Sequence, residues 1–515
     1  MTWTSLNAGI AYPEIFLLIA ACAILLIDVF VSDAKRGITH GLTLAALAVT
    51  GAILYSGYIP QRVTAFSGQF VADPMAAWAK GGILIGVALA LIYGRSYAAA
   101  RQMYRGELYT LTLFATLGMM IMTSAINFLL LYVGLELLSL SLYALVALRR
   151  DSANATEAAM KYFVLGALAS GMLLYGMSMV YGATGSLDVV IIAQKIATQA
   201  ANPTLLVFGL VFIVAGIAFK LGAVPFHMWV PDVYQGAPTP IAQLIGTAPK
   251  LAAFAFVMRL LAEALGLAGI DLSQIRQQPM LLPSWSSMLM VLAVASLVIG
   301  NLAAIAQTNI KRMFAYSTIS HMGFLLLGIL VANEVGYSAS FFYAFTYVLT
   351  AAAGFGMVQL LSREGFEADT IDAFKGLAKR SPWFAFMMLM VLFSMAGIPV
   401  FVGFFAKLSV LQALLNHAVL VPGVDGAGID IDHSGLVWVA VVAVLMSLVG
   451  AFYYLRVVKV MFFDEPTDTA PISACWDVRI ILSLNCLLLL ALGLVPGYLL
   501  AKLGEAVKLS SLVLF

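Results

Sequence analysis

The sequence predicts an all-α polytopic membrane protein of about fourteen transmembrane helices, with two inverted five-helix repeats and broken helices at the seventh and twelfth spans. Three observations carry that expectation. Of the 515 residues, 63% are hydrophobic and 10% charged, and the mean hydropathy is +1.01, so lipid rather than water is the solvent for nearly the whole chain. Apolar stretches of spanning length recur from end to end. The polar segments between them, of which 182–203, 266–283, 362–382 and 417–434 are the longest, are about 20 residues each and too short to fold alone.

The first apolar run, 9–31, carries Asp28 near its end and leads into Ser32-Asp33-Ala34-Lys35-Arg36. No basic region precedes it and no small-residue cleavage site follows, so it reads as a retained span and not a signal peptide. Runs near 38–58 and 74–94, the latter with Lys80 early in it, complete an N-terminal segment of three helices, 1–107. Runs near 108–125, 127–148, 161–181, 204–230 and 239–265 make the first repeat, 108–265. Those near 284–306, 313–331, 337–361, 383–416 and 435–462 make the second, 266–462. A final run near 476–501 lies in 463–515.

Within the fifth run, Glu136 interrupts an otherwise apolar segment. Tyr132, Glu136, Ser139 and Tyr143 recur at helical spacing, so they share one face, which should look inward. The seventh run contains Lys220, followed closely by Pro225 and His227. A cation there costs roughly 2.5–3.5 kcal/mol on insertion scales and should face a bundle interior or water. Pro225 frees backbone groups that neighbours or water must satisfy, so this helix should be broken at the depth of its lysine. Glu136 and Lys220 could form a coupled pair suited to proton transfer, or an ion pair that only holds two helices in register.

Lys250 lies about ten residues from each end of the eighth run, where it could serve a relay or snorkel to a surface. His321, in Tyr316-Ser317-Thr318-Ile319-Ser320-His321, falls inside the tenth run with hydroxyls one turn before it. It and His227 are proton-carrier candidates by residue type, or satisfied packing groups. In the twelfth run Lys407 follows Gly397-Ile398-Pro399 and Gly403, a second interrupted helix with a mid-span lysine; the alternative is an interfacial lysine on a tilted span. Two such helices, one in each half, point to an inverted-repeat transporter. His40, His417 and His433 read as loop or span-end residues.

Lysine and arginine accumulate in cytoplasmic loops. With the N-terminus outside, one side holds Lys35, Arg36, Arg95, Arg101, Arg105, Arg149, Arg150, Lys311, Arg312, Arg456 and others, a majority of the 27. Few lie opposite, among them Arg62, Lys195 and Arg276. Both termini are therefore expected outside. Cys22, Cys475 and Cys486 are in or beside apolar runs without metal-ligand spacing and read as small buried hydrophobes. No dinucleotide fingerprint, phosphate loop or cluster-binding cysteine set is present, so redox chemistry is expected in partners. The scattered basic residues give no support to nucleic-acid binding.

One stretch is specific enough to suggest a family. Phe219-Lys220-Leu-Gly-Ala-Val-Pro225-Phe-His227-Met-Trp229-Val-Pro231-Asp232-Val-Tyr234-Gln235-Gly236-Ala237-Pro238 resembles the signature of the antiporter-like membrane subunits of respiratory NADH:quinone oxidoreductase, complex I. Its Asp-Val-Tyr-Gln-Gly-Ala-Pro portion is similar to the bacterial subunit N branch. Tyr132 to Leu140, Asn309 to Gly323 and Ala396 to Lys407 extend the likeness along the chain. The resemblance implies that Glu136 and Lys220 form a coupled pair, that Lys250 is the central relay group and that Lys407 exchanges protons with the far side. A lysine at the last position favours subunit N over subunit M. The implied partners are subunit M, the small membrane subunits of the complex and membrane lipid, with NADH, FMN, iron–sulfur clusters and quinone bound by other subunits and no cofactor or metal in this chain. The implied location is the bacterial inner membrane. The implied coupling starts at quinone reduction elsewhere, which shifts the Glu136–Lys220 pair and passes an altered field to Lys250 and then Lys407. Two unit charges about 7 Å apart interact by roughly 2.4 kcal/mol at an effective dielectric of 20, enough to move a protonation equilibrium well over tenfold. A cation/proton antiporter or membrane-bound hydrogenase subunit is the alternative reading.

Overall fold

The computed structural model describes residues 6–198, 200–266, 285–420, 433–466, 470, 472 and 475–510. Among them, thirteen helices are long and apolar enough to cross a membrane. In chain order the α-helices of eight or more residues are α1 (Tyr12–Asp28), α2 (Gly37–Ser56), α3 (Pro74–Ala100), α4 (Gly106–Ser124), α5 (Phe128–Val146), α6 (Ala153–Thr184), α7 (Val189–Ala197), α8 (Pro203–Leu221), α9 (Trp229–Gly236), α10 (Thr239–Gly246), α11 (Ala248–Val257), α12 (Trp285–Ile305), α13 (Ile310–Leu330), α14 (Glu334–Leu361), α15 (Pro382–Ala396), α16 (Val402–Leu420), α17 (His433–Phe463), α18 (Trp476–Leu494) and α19 (Pro496–Leu509). The run expected at 383–416 is divided between α15 and α16, which accounts for the fourteenth span.

The chain forms two compact units, 1–220 with 236–285 and 505–515, and 221–235 with 286–504. In the first, α4 packs closely on α5, and a Cβ added to Gly118 would lie 2.6 Å from the backbone nitrogen of Leu138. That contact fixes the helix carrying Glu136. A hairpin of β1 (Val63–Ala65) and β2 (Phe70–Ala72) links α2 to α3, an element that hydropathy could not show. The 182–203 segment contains α7, whose start is capped by Asp188 accepting from Val190 N (2.9 Å) and Ile191 N (3.1 Å). In the second unit α13 and α14 are buried over nearly their whole length, so their polar residues face protein.

Breaks occur in the two runs where proline and glycine suggest them, and in two further runs. After α8, Gly222 adopts φ +79°, and Val224 N donates to Ser296 Oγ at 2.9 Å. After α15, Gly397 adopts φ +84°, the left-handed region where an ordinary side chain is strained. The eighth run, expected to be continuous, is also interrupted. Thr247 departs from helical geometry between α10 and α11, and residues Met258–Ala264 wind as a π-helix. The fourteenth run likewise ends at Leu494, before Pro496 starts α19. Only Cys486 of the three cysteines is buried; Cys22 and Cys475 are exposed on the chain, because a span hydrophobic all round does not reveal which face packs. His40 lies in the first turn of α2 and is buried. The side chains of His417 and His433, and all of Arg276, lie outside the described residues.

Candidate functional site

In the first unit, α8 ends one residue past Lys220, leaving its last carbonyls without intrahelical donors. Lys250 stands in the first turn of α11, beyond the Thr247 break and Pro249. Its side chain is 1% exposed, and its ammonium donates to the Lys220 carbonyl at 3.4 Å. The broken helix thus offers a cation its negative end. Lys220 turns the other way, donating to Ser139 Oγ at 2.8 Å and Ser170 Oγ at 3.3 Å. Ser139 is one turn from Glu136 on α5, so the inward stripe supplies the lysine with a hydroxyl. Glu136 is within electrostatic reach of Lys220 but makes no direct ion pair with it among the described residues, and Glu136 Oε1 is buried without a hydrogen-bond partner there.

The second unit repeats the pattern. Lys407, 9% exposed, donates to the carbonyls of Met395 (3.1 Å) and Ala396 (2.9 Å) at the end of α15, and to Ser447 Oγ on α17 at 2.9 Å. Its ammonium also lies 5.4 Å from the Phe324 ring centroid. Gly397 allows this approach, for a Cβ there would stand 2.9 Å from Lys407 Cδ.

His321 on α13 is buried between two phenols, Nδ1 lying 2.6 Å from the Tyr343 hydroxyl and Nε2 3.2 Å from that of Tyr454. Tyr454 also bonds Ser317, and Thr318 lies 2.8 Å from Tyr347. A neutral imidazole donates from one nitrogen and accepts at the other, so this chain of hydroxyls satisfies either tautomer. A small cavity lined by His321, Tyr343, Thr350 and Ser394 beside α16 has room for about one water molecule. His227 sits half-buried in the break before α9, its carbonyl accepting from Val230 N at 2.9 Å.

The geometry therefore brings Lys220 and Lys250 together, sets Lys407 at a matching helix end, and gives His321 a hydroxyl network. The sequence reading missed two buried charge groups. Lys80 is 3% exposed and pairs with Glu14 at 2.6 Å, adding a buried lysine early in α3 to the three mid-span lysines expected. Arg259 is fully buried, held by Asp73 at 2.7 Å and by Glu263. Glu263 also takes Arg62 at 2.8 Å. The signal was present: Glu14 and Lys80 are isolated charges in apolar runs, and Arg259 and Glu263 are four residues apart.

The comparisons with known proteins fit this arrangement. The model of the NADH:quinone oxidoreductase/Mrp antiporter transmembrane family matches residues 125–422. The NADH-quinone oxidoreductase subunit N of Laribacter hongkongensis is 56% identical, over 99% of each chain. A chain of respiratory complex I from Thermus thermophilus with bound aureothin superposes with TM-score 0.76 at 31% identity, covering 95% of this chain and 98% of that one. A chain of the archaeal membrane-bound sulfane sulfur reductase shares the fold, with TM-score 0.81 at 24% identity over 98% and 99% of the two chains. Membership of the antiporter-like family and full-length identity to subunit N agree, and the chain belongs to the NADH-quinone oxidoreductase subunit N family.

Proposed function

We propose that this chain translocates protons through Glu136, Lys220, Lys250 and Lys407, with His321 and His227 as further carriers, driven by quinone reduction elsewhere in its complex. The observation that carries the reading is the lysine ammonium turned onto the open carbonyl end of a broken helix in each unit, Lys250 on Lys220 O and Lys407 on Met395 O and Ala396 O. Such a site stabilises a charged lysine through the partial negative charge on helix-end carbonyls. The stability of that charge then depends on neighbouring charges, which is the condition for passing a proton on. Glu136, within reach of Lys220, is the group through which a change in one neighbour alters the next.

On this reading the complex supplies subunit M and the small membrane subunits as neighbours, and other subunits bind NADH, FMN, the iron–sulfur clusters and quinone. The chain sits in the bacterial inner membrane with both termini outside, as the basic loops favour. Protons are taken up from the cytoplasm and released outside. The test is proton yield per NADH in membrane vesicles carrying Lys250→Met in an assembled complex. A collapsed yield is expected, and a normal yield would sink the relay.

A further inference from the structure

Away from these lysines, a cavity of about 390 Å³ opens at the end of the first unit where α1 and α3 begin and α2 finishes, lined by Tyr12, Pro13, Tyr58, Asp73, Ala77 and Lys80 among others. Asp73 and Lys80 are seven residues apart on α3 and share its inner face, about 10 Å apart in depth. Asp73 caps α3 through Ala76 N at 2.8 Å with one oxygen and binds Arg259 with the other. Lys80, which lines the cavity, reaches back from it to Glu14 at 2.6 Å. Both side chains of that pair are more than nine-tenths buried, and Glu14 Oε2 has no hydrogen-bond partner among the described residues.

A space this large with charged walls is polar and roomy enough to hold several water molecules. An ionisable pair inside a membrane span is costly to keep unless it works on a proton or ion. Arg259 cannot release a proton, so Asp73, its partner, is held as a fixed charge in the cavity wall. Glu14 and Lys80 are the members free to change charge. Arg259, which binds Asp73 of the wall, lies on the π-helical continuation of α11, the helix that carries Lys250, so the group that pins the wall and the relay lysine share one element.

We propose that this cavity is the outer proton-exchange mouth of the first unit, with Glu14 and Lys80 as a second proton-carrying pair. A proton delivered to the Glu14 carboxylate gives carboxylic acid beside ammonium; the Lys80 ammonium, which lines the cavity, gives one proton to cavity water and is reprotonated by the Glu14 acid, which restores the starting charges, and no electron moves. The inference rests on the relay proposed above and gives the first unit an exit of its own, apart from the exchange that the resemblance implies at Lys407. The test uses the assembled complex in membrane vesicles carrying Lys80→Arg, with NADH:quinone turnover, proton yield and assembly measured together. Arginine keeps a cation opposite Glu14 but does not give up a proton. Expected is an assembled, NADH-oxidising complex that has lost proton yield; an unchanged yield overturns the pair.

Access is read separately by Ala77→Cys in a chain whose Cys22, Cys475 and Cys486 are serine, using a membrane-impermeant thiol reagent applied from outside. Labelling supports the mouth and its absence overturns it, even if Lys80 variants fail to assemble. Lys250→Met in the same vesicles separates the two ideas. Lost yield there with normal yield in Lys80→Arg removes only the mouth, whereas normal yield in Lys250→Met removes the relay and the mouth with it.

Discussion

At the scale of single residues, the buried lysines differ in how their protons are held. Lys80 faces a carboxylate, Lys250 and Lys407 face helix-end carbonyls, and Lys220 faces two serine hydroxyls. A hydrogen bond to a charged group contributes roughly 1.5–3 kcal/mol, so the serines set how readily Lys220 holds its charge when Glu136 changes. Replacing both, as Ser139→Ala with Ser170→Ala, should slow coupled turnover by about tenfold while leaving assembly intact. The measurement is NADH:quinone turnover alongside proton yield, and unchanged values for both would mean the hydroxyls do not serve Lys220. The candidate lysines were legible in the sequence because an isolated charge in an apolar run stands out. Of their partners only Ser139 was marked, by its place on the Glu136 stripe; Ser170 and Ser447 are common residues on helices, and only the crossing of α6 and α17 with the broken segments selects them.

At the scale of elements, the helix breaks do the positioning. The seventh and twelfth breaks could be read from Gly222 with Pro225 and from Gly397 with Pro399, because these residues cannot continue a helix without cost. The interruption at Thr247 had a weaker sign, one threonine before Ala-Pro, and the π-helical turn that follows, which contains Arg259 and Glu263, had none. Gly397 shows what a break contributes. Its φ of +84° strains any residue with a side chain, by about 1–2 kcal/mol, and the added Cβ would meet Lys407 Cδ at 2.9 Å. Gly397→Ala should therefore displace the Lys407 ammonium from the α15 carbonyls and lower proton yield in an assembled complex. Gly497→Ala, with nothing within 4 Å of the added carbon, is the matched control and should pump normally. Equal yields in the two variants would separate the Lys407 site from the break.

At the scale of the whole molecule, hydropathy dictated the number of spans, and basic-residue placement gave the expected orientation. Neither could show what binds distant segments of the first unit to one another. That work falls to the charge network at one end of α3. Arg259 joins Asp73 at the start of α3 to Glu263, Glu263 joins Arg62 in the loop after α2, and Arg62 donates to the Ser510 carbonyl at 3.1 Å beyond α19. Arg259 also donates to the Thr123 carbonyl at the end of α4, 3.1 Å away. One side chain thus ties elements separated by well over a hundred residues of sequence. Removing one partner of a buried pair leaves an uncompensated charge and costs about 3–5 kcal/mol, far more than loss of an exposed pair such as Lys379 with Glu465, worth about 0–1 kcal/mol. Asp73→Asn should lower the thermal stability of the purified complex and release this subunit at lower temperature, whereas Glu465→Gln should leave both unchanged. If the complex with Asp73→Asn melted with that of the parent, the network would be dispensable to the fold, and Asp73 would matter only through the cavity it lines.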